Sequence, residues 1–362
     1  MGITSLKEQY TPLQRKERVD DYGKVSKSIK RFTDRQLYAH GFDSASIYWN
    51  IFANSNTDIT LSTQFVGFAD LRIANQFRRI NKQFERANRM LGVGQYYIVA
   101  FENSQMRKLK HYKTFSRPIG KLTYLGDSLV NRVLPKLSLT KKLYFSLRKS
   151  PNRIISTTEC LGRLVSCGFE IQDYRRIGDK TLVVTKKVSD PAYDMEPTYG
   201  LFCSLNRVGK DKKMITVRKI RTMHPYSEYL QGYLYDKNGT ENGDKITNDF
   251  RVTPWGKWFR KLWIDELPMI WNFLKGEMKL VGVRPLSKHK FETYPEWLQD
   301  QRTKFKPGLV PPFYADLPEN VEDFYYSEGQ YLKEYEKKPI RTDIKYFFKA
   351  MYNIFIKRAR SA

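Results

Sequence analysis

The chain has 362 residues, enough for two domains with a core each, and 64 Lys and Arg against 38 Asp and Glu give it a formal charge of +26. That balance calls for an anionic partner, whether nucleic acid, anionic lipid headgroups or a phosphorylated substrate. No run of about 18 apolar residues predicts a transmembrane helix, and three cysteines (Cys160, Cys167, Cys203) and four scattered histidines (His40, His111, His224, His289) lack the spacing of a zinc site and suit a reducing compartment.

Residues 1–35 are polar and charged and read as a loosely attached arm, without the apolar core of a signal peptide. ASIYWNIFANSNTDITL, at 45–61, fits no single pattern. Leu71, Ala74, Phe77, Ile80, Phe84, Ala87 and Met90 then step by three and four and predict one amphipathic helix. Gly92 and Gly94 turn the chain into QYYIVAFEN, a predicted strand. Further on, Thr158 to Ser166 predicts a helix, and Phe169 to Tyr174 and Thr181 to Lys187 predict two strands joined by a hairpin turn at Gly178-Asp179. The order of helix, glycine turn and strand makes 36–188 an α/β domain. Its stretch 62–188 resembles the C-terminal half of a class I S-adenosylmethionine-dependent methyltransferase. The glycine-rich loop and acidic ribose ligand of such enzymes are missing, so the expected role is a scaffold, a docking surface or a remnant, with no methyl donor bound.

Between 104 and 153 stand thirteen Lys and Arg and one acid, Asp127. Leu122, Leu125, Leu129 and Val133 recur at helical spacing there, followed by LSLTKKLYFSL. Between 344 and 362 five basic residues and no acid accompany Tyr346, Phe347, Ala350, Met351, Ile354 and Phe355. Basic and amphipathic together read as an interfacial membrane helix. The ordinary alternative for both is a helix whose apolar face packs on the body. No nucleic-acid-binding motif supports a nucleic-acid partner.

SDPAYDMEPTYG, at 189–200, carries two prolines and marks a domain boundary, with the second domain at 189–362. LFCSLNRVGKDKKMITVRKIRTM predicts two strands around a Gly209-Lys-Asp turn, carrying Arg207, Lys219 and Arg221. The stretch 248–285 holds the adjacent acids Asp265 and Glu266, framed by Trp263, Ile264, Leu267 and Ile270, with Arg251, Arg260 and Arg284 around them. Leu267, Ile270, Trp271 and Leu274 fall at helical spacing, Pro268 suits a first turn, and Gly276 suits a C-cap. The acid pair is thus expected at a helix N-terminus, whose free N–H groups favour an anion. Met278 to Val283 reads as a short buried strand that delivers Arg284, whose planar fork matches two phosphate oxygens. Carboxylates among arginines suit phosphoryl transfer.

KIRTM (219–223), RVTPWGKWFRKLWIDELP (251–268), LKGEMKLVGVRP (274–285) and KPGL (306–309) resemble, in order, the bacterial sugar transferases, the monotopic polyprenol-phosphate phosphoglycosyl transferases. The resemblance covers about 165 residues and implies a C-terminal phosphoglycosyl transferase domain beside the degenerate methyltransferase-like one, an α/β and α+β chain. It implies transfer of a sugar 1-phosphate from a UDP-sugar to polyprenol phosphate with release of UMP, through an aspartyl phosphosugar on Asp265. Glu266 is the candidate for metal or proton handling, with Mg²⁺ held by Asp265 and Glu266 and with Arg207, Lys219, Arg221, Asp249, Arg251, Arg260 and Arg284 around the donor. An ion pair within the chain is the alternative for Asp249 and Arg251.

The chain departs from the family in reading GVRP for GPRP and KPGLVPP for KPGLTG, changes that remove no charge. The long apolar re-entrant helix usual before the hairpin is replaced by hydrophilic SDPAYDMEP. The basic insert around 122–147 is the expected substitute for membrane contact, at the cytoplasmic face of the inner membrane. A membrane-associated scaffold without turnover is the competing reading, against which the intact Asp265-Glu266 pair speaks.

Overall fold

A computed structural model describes residues 21–50, 65–148, 150–193, 200–238, 240–241, 245–246 and 249–357. Most of the polar arm and the end of the ambiguous 45–61 stretch therefore lie outside the described residues. The chain divides into two compact units, one made of 1–199 with 224–237 and the other of 200–223 with 238–362.

The first unit is built on a five-stranded sheet in the order β1 (Ile47–Asn50), β2 (Gly67–Ile73), β3 (Tyr96–Phe101), β5 (Lys180–Lys187), β4 (Phe169–Ile177). The first three strands run parallel, and β5 and β4 form an antiparallel hairpin beside them. Every residue of β3 is buried, as expected of a central strand covered on both faces. The helices α1 (Lys27–Leu37) and α2 (Ile80–Met90) precede the basic insert. The insert itself folds as α3 (Ser104–Thr114), α4 (Arg117–Ser128), a π turn (Leu129–Val133) and α5 (Ser138–Leu147), and α6 (Thr157–Ser166) follows it.

Two expectations are corrected here. The single helix predicted from Leu71 to Met90 is a strand, a short 3-10 turn and then α2. Strand β2 is buried on both faces, so its apolar residues follow no period of two and mimic the start of a helical stripe. Lys27–Leu37, read as part of the polar arm, is a helix that buries Phe32 and Leu37 in the core with Trp49, Ile98 and Val184. Burying such side chains contributes on the order of 2 kcal/mol each, which outweighs the low apolar content of the segment.

In the second unit, β6 (Phe202–Val208) and β7 (Met214–Ile220) form the predicted hairpin. Helix α7 (Pro254–Lys261), a 3-10 turn (Ile264–Met269) and α8 (Ile270–Leu274) carry the acid pair. Strand β8 (Lys279–Val281) pairs parallel with β9 (Gly308–Val310), which holds the KPGL glycine. Helix α9 (Glu296–Thr303) and the long helices α10 (Val321–Lys337) and α11 (Pro339–Phe355) close a core around Leu298, Tyr331, Tyr346, Ala350 and Ile354. The Tyr346-Ala350-Ile354 stripe, offered as a membrane face, is therefore this unit's own packing face. A second line on α11, Ile344, Phe348, Tyr352 and Phe355, stands exposed instead. No described helix is long and apolar enough to cross a membrane.

Candidate active site

The acid pair sits where the spacing puts it, in the first turn of the 3-10 segment that runs into α8. Trp263, just before it, is left-handed at φ 59°, a conformation costing a bulky residue about 1–3 kcal/mol and found mostly where function fixes the backbone. The Trp263 ring packs 4.5 Å from that of Tyr314, which holds the turn in place. At the other end Gly276 adopts φ 70°, the left-handed conformation that ends the helix.

Strand β7 supports the turn from below. Val217 packs with Met269 and Met278, and Lys219, two residues on and so on the same face, reaches the acids. The Asn272 amide donates to the Thr216 carbonyl at 2.8 Å and ties α8 to the same strand. Lys219 Nζ donates to Glu266 Oε1 at 2.5 Å, and Arg284 Nη2 approaches the same oxygen at 3.5 Å.

Asp265 is 9% exposed. Burial raises its carboxyl above the usual range and Glu266 adds to the rise, while Lys219 and Arg260 oppose it. Arg260 leaves the last turn of α7 and donates from Nε to Thr222 Oγ1 at 2.9 Å, within electrostatic reach of Asp265 and Arg284. The helix can come this close because Gly256 lies against the Thr222 carbonyl, where a side chain would collide. Burial lowers the Arg207 guanidinium from its ordinary value and neighbouring Arg284 lowers it further. Arg284 is fixed from behind, since Arg302, paired to the fully buried Glu328, donates to the Arg284 carbonyl at 2.5 Å.

The remaining predicted residues fall differently. Asp249 and Arg251 pair with each other through three guanidinium contacts of 2.8 to 3.1 Å, the within-chain alternative. Arg221 donates from Nε to the Gly200 carbonyl at 2.7 Å and from Nη2 to that of Phe202 at 3.4 Å, which makes it a strut at the base of the hairpin. The expected apolar frame divides: Trp263 and Ile264 are half-buried, whereas Leu267 and Ile270 face outward with Trp271 and Leu274 beside them, 46–66% exposed, and Trp258 and Leu262 on the preceding segment are exposed too. Sequence reasoning missed Thr222, Arg302 and Glu328, and took Trp263 only as part of the apolar frame. Thr222 carried a signal, since it lies inside KIRTM, and Trp263 lies inside the 251–268 motif.

The site thus joins Asp265 and Glu266 to Lys219, Arg260 and Arg284, with Arg207 beside the last. Residues 191–357 match the family described as bacterial sugar transferase. Over these residues, nearly half of the chain, it is similar to that family. Relatives include the galactosyl transferase CpsE of Streptococcus agalactiae, 36% identical over 39% of this chain and 32% of its own length. The undecaprenyl-phosphate galactose phosphotransferase of Salmonella typhimurium is 34% identical over 29% of this chain and 23% of its own. The UDP-glucose:undecaprenyl-phosphate glucose-1-phosphate transferase of Klebsiella pneumoniae is 38% identical over 29% and 21%. The chain thus spans a third or less of the length of these three relatives. A solved T. thermophilus 16S rRNA methyltransferase aligns with 48% of the chain and 33% of its own at 13% identity and a TM-score of 0.13, a likeness too loose to bear on the first unit.

Proposed function

We propose that this chain is a sugar transferase that moves a sugar 1-phosphate from a UDP-sugar to a polyprenol phosphate such as undecaprenyl phosphate and releases UMP, as an initiating step of bacterial surface glycan synthesis. It would work at the cytoplasmic face of the inner membrane. The observation that carries the reading is Asp265, a carboxylate at the start of a helical turn with Lys219 and Arg260 acting on it and no side chain hydrogen-bonded to it among the described contacts. The relatives' names, with their undecaprenyl-phosphate acceptor and glucose 1-phosphate group, support the substrate classes.

The chemistry follows as two displacements at one phosphorus. Asp265 attacks the sugar-linked phosphorus, the bond to the bridging oxygen breaks, and UMP leaves with the electron pair. An oxygen of the polyprenol phosphate then attacks the same phosphorus and the Asp265 carboxylate departs unchanged. Arg284, Arg260 and Arg207 neutralise the diphosphate, and Lys219 holds Glu266 beside the reaction.

No group of three metal-ligating side chains occurs among the described residues, yet Asp265 and Glu266 offer two hard carboxylates. That donor set fits Mg²⁺, which takes one or two carboxylates and draws further oxygens from substrate phosphates. When bound, the ion would withdraw charge from the diphosphate. The exposed Leu267, Ile270, Trp271 and Leu274 suit an acceptor presented in lipid.

Incubating the protein and Asp265→Asn with a panel of UDP-sugars and Mg²⁺ tests the reading by intact mass. A phosphosugar adduct on the parent alone is expected. A scaffold without turnover would give neither adduct nor UMP.

A further inference from the structure

The basic insert of the first unit leaves its leucines uncovered. On α4 and the π turn, Ile119, Leu122, Leu125, Leu129 and Val133 follow helical spacing and are 40–71% exposed. On α5, Leu139, Leu143 and Leu147 lie four apart and are 60–91% exposed. The opposite sides are firmly seated: Tyr144 is buried and its hydroxyl donates to Asn131 Oδ1 at 3.0 Å, while the Ile154 amide donates to the Asn131 carbonyl at 3.0 Å. The leucine lines thus face outward because the other faces of these helices are committed to the body.

Charge selects what would cover them. Arg117, Lys121, Lys141 and Lys142 stand exposed along the same helices, and Lys113 at the end of α3. The only acid between 104 and 153, Asp127, is turned inward. Its carboxylate accepts from Arg107 at 2.6 and 2.7 Å, from Asn131 at 2.6 Å, and meets His111 at 3.2 Å. The exposed surface of the insert is therefore leucine edged by cations, with no exposed carboxylate among its own described residues. Cations beside leucines match both the phosphates and the apolar boundary of an anionic membrane interface.

We infer that α4, the π turn and α5 form an interfacial docking face for an anionic lipid surface, with the leucines entering the headgroup boundary and the five cations meeting lipid phosphates. The inference deepens the proposed function, on which it rests for the presence of a membrane, and locates membrane contact in the unit that does not carry the acid pair.

Flotation of the full chain with phosphatidylcholine vesicles, with and without phosphatidylglycerol, tests it. The parent is expected to float with the anionic vesicles. The combined variant L122Q/L125Q/L129Q/L143Q should partition at least ~10-fold less, with far-UV CD and melting unchanged because the replaced side chains are exposed. Replacing the five cations with Gln should abolish the preference for phosphatidylglycerol, by up to about fivefold per cation. A leucine variant that floats like the parent, a parent that ignores anionic vesicles, or a parent dimer that the leucine variant converts to monomer would each overturn the inference, the last by making the face a contact between two copies. UMP release from detergent-dispersed polyprenol phosphate separates the two readings. If neither protein releases UMP but the flotation difference persists, the enzyme reading fails alone; if both release it equally and float equally, the docking face fails alone.

Discussion

In the first unit Glu159 lies fully buried with its two oxygens answered by Lys136 at 2.8 Å and Arg163 at 2.8 Å. Arg163 in turn donates to Asn81 and stacks 4.3 Å over the Tyr226 ring. In the second unit Asp265 and Glu266 lie among Lys219, Arg260, Arg284 and Arg207, and among the described contacts only Glu266 is engaged by a cation's hydrogen bond. The residue types match, and so does the ratio of two cations to each carboxylate, but both oxygens of Glu159 are taken by cations whereas Asp265 accepts from no side chain among the described contacts. A carboxylate claimed on both oxygens holds a fold together, whereas one left unclaimed among cations is placed to act on a ligand that brings negative charge.

The strongest test of that contrast is to remove one carboxylate from each cluster. Asp265→Asn should lower turnover by at least ~10⁴-fold, as loss of a covalent nucleophile does. Burial raises the Asp265 carboxyl, so the folded chain is favoured below its ordinary range and loses that advantage as pH rises through the shifted value. At neutral pH the ionised group therefore opposes folding, and the variant should melt no lower than the parent. A large fall in melting temperature would make Asp265 part of the scaffold.

Glu159→Gln should do the reverse. It strands two cations and should cost about 3 kcal/mol, on the order of 10 °C in melting temperature, with kcat of the folded fraction unchanged. Lys136 and Arg163 overcome the cost of burial and hold the Glu159 carboxyl well below the usual range. Its contribution is therefore complete above the ordinary carboxylate range and is lost only as pH falls through the depressed value, so Glu159→Gln should flatten acid unfolding. Calorimetry across pH checks this, and an unchanged acid transition would reopen the comparison.

The two neighbours of Asp265 pull on it in opposite senses, and pH–rate profiles can show this. Lys219→Met removes a charge that favours the ionised form, so the acid limb of kcat/KM should move to higher pH. Glu266→Gln removes a repelling charge, so the limb should move to lower pH. Shifts in the same direction would mean that the limb reports another group.

The sequence made the closed parts of the molecule less legible than the open ones. The acid pair at a helix start, the Gly276 cap and the β6–β7 hairpin could be read because each is a local pattern with a short-range cause. Periodicity names the side chains that share a face and is silent on what covers that face. It therefore gave α11 the wrong outward face, merged β2 with α2, and could not tell the leucines of the insert from a packing surface. The bracing of Arg284 by Arg302 and Glu328 was invisible for a related reason, since those residues are 18 and 44 positions away in a chain whose fold alone joins them.

Arg207 and Arg221 make the finest test, because the sequence treated them alike as cations of one hairpin. Arg221 gives its donors to backbone carbonyls, so Arg221→Gln should lower the melting temperature with little change in KM. Arg207 has no carboxylate among its described contacts and stands beside Arg284, an arrangement that is uphill until an anion arrives. Arg207→Gln should relieve that repulsion, leave stability level or slightly raised, and increase KM for the sugar nucleotide about 3- to 10-fold, as losing one charge-assisted contact of ~1 kcal/mol does. The rise should shrink at high salt, where the diphosphate is screened from the remaining arginines. Steady-state kinetics at two ionic strengths decide the point: an unchanged KM would mean that Arg207 meets no substrate phosphate, and the surplus charge of the site would then have to be answered elsewhere.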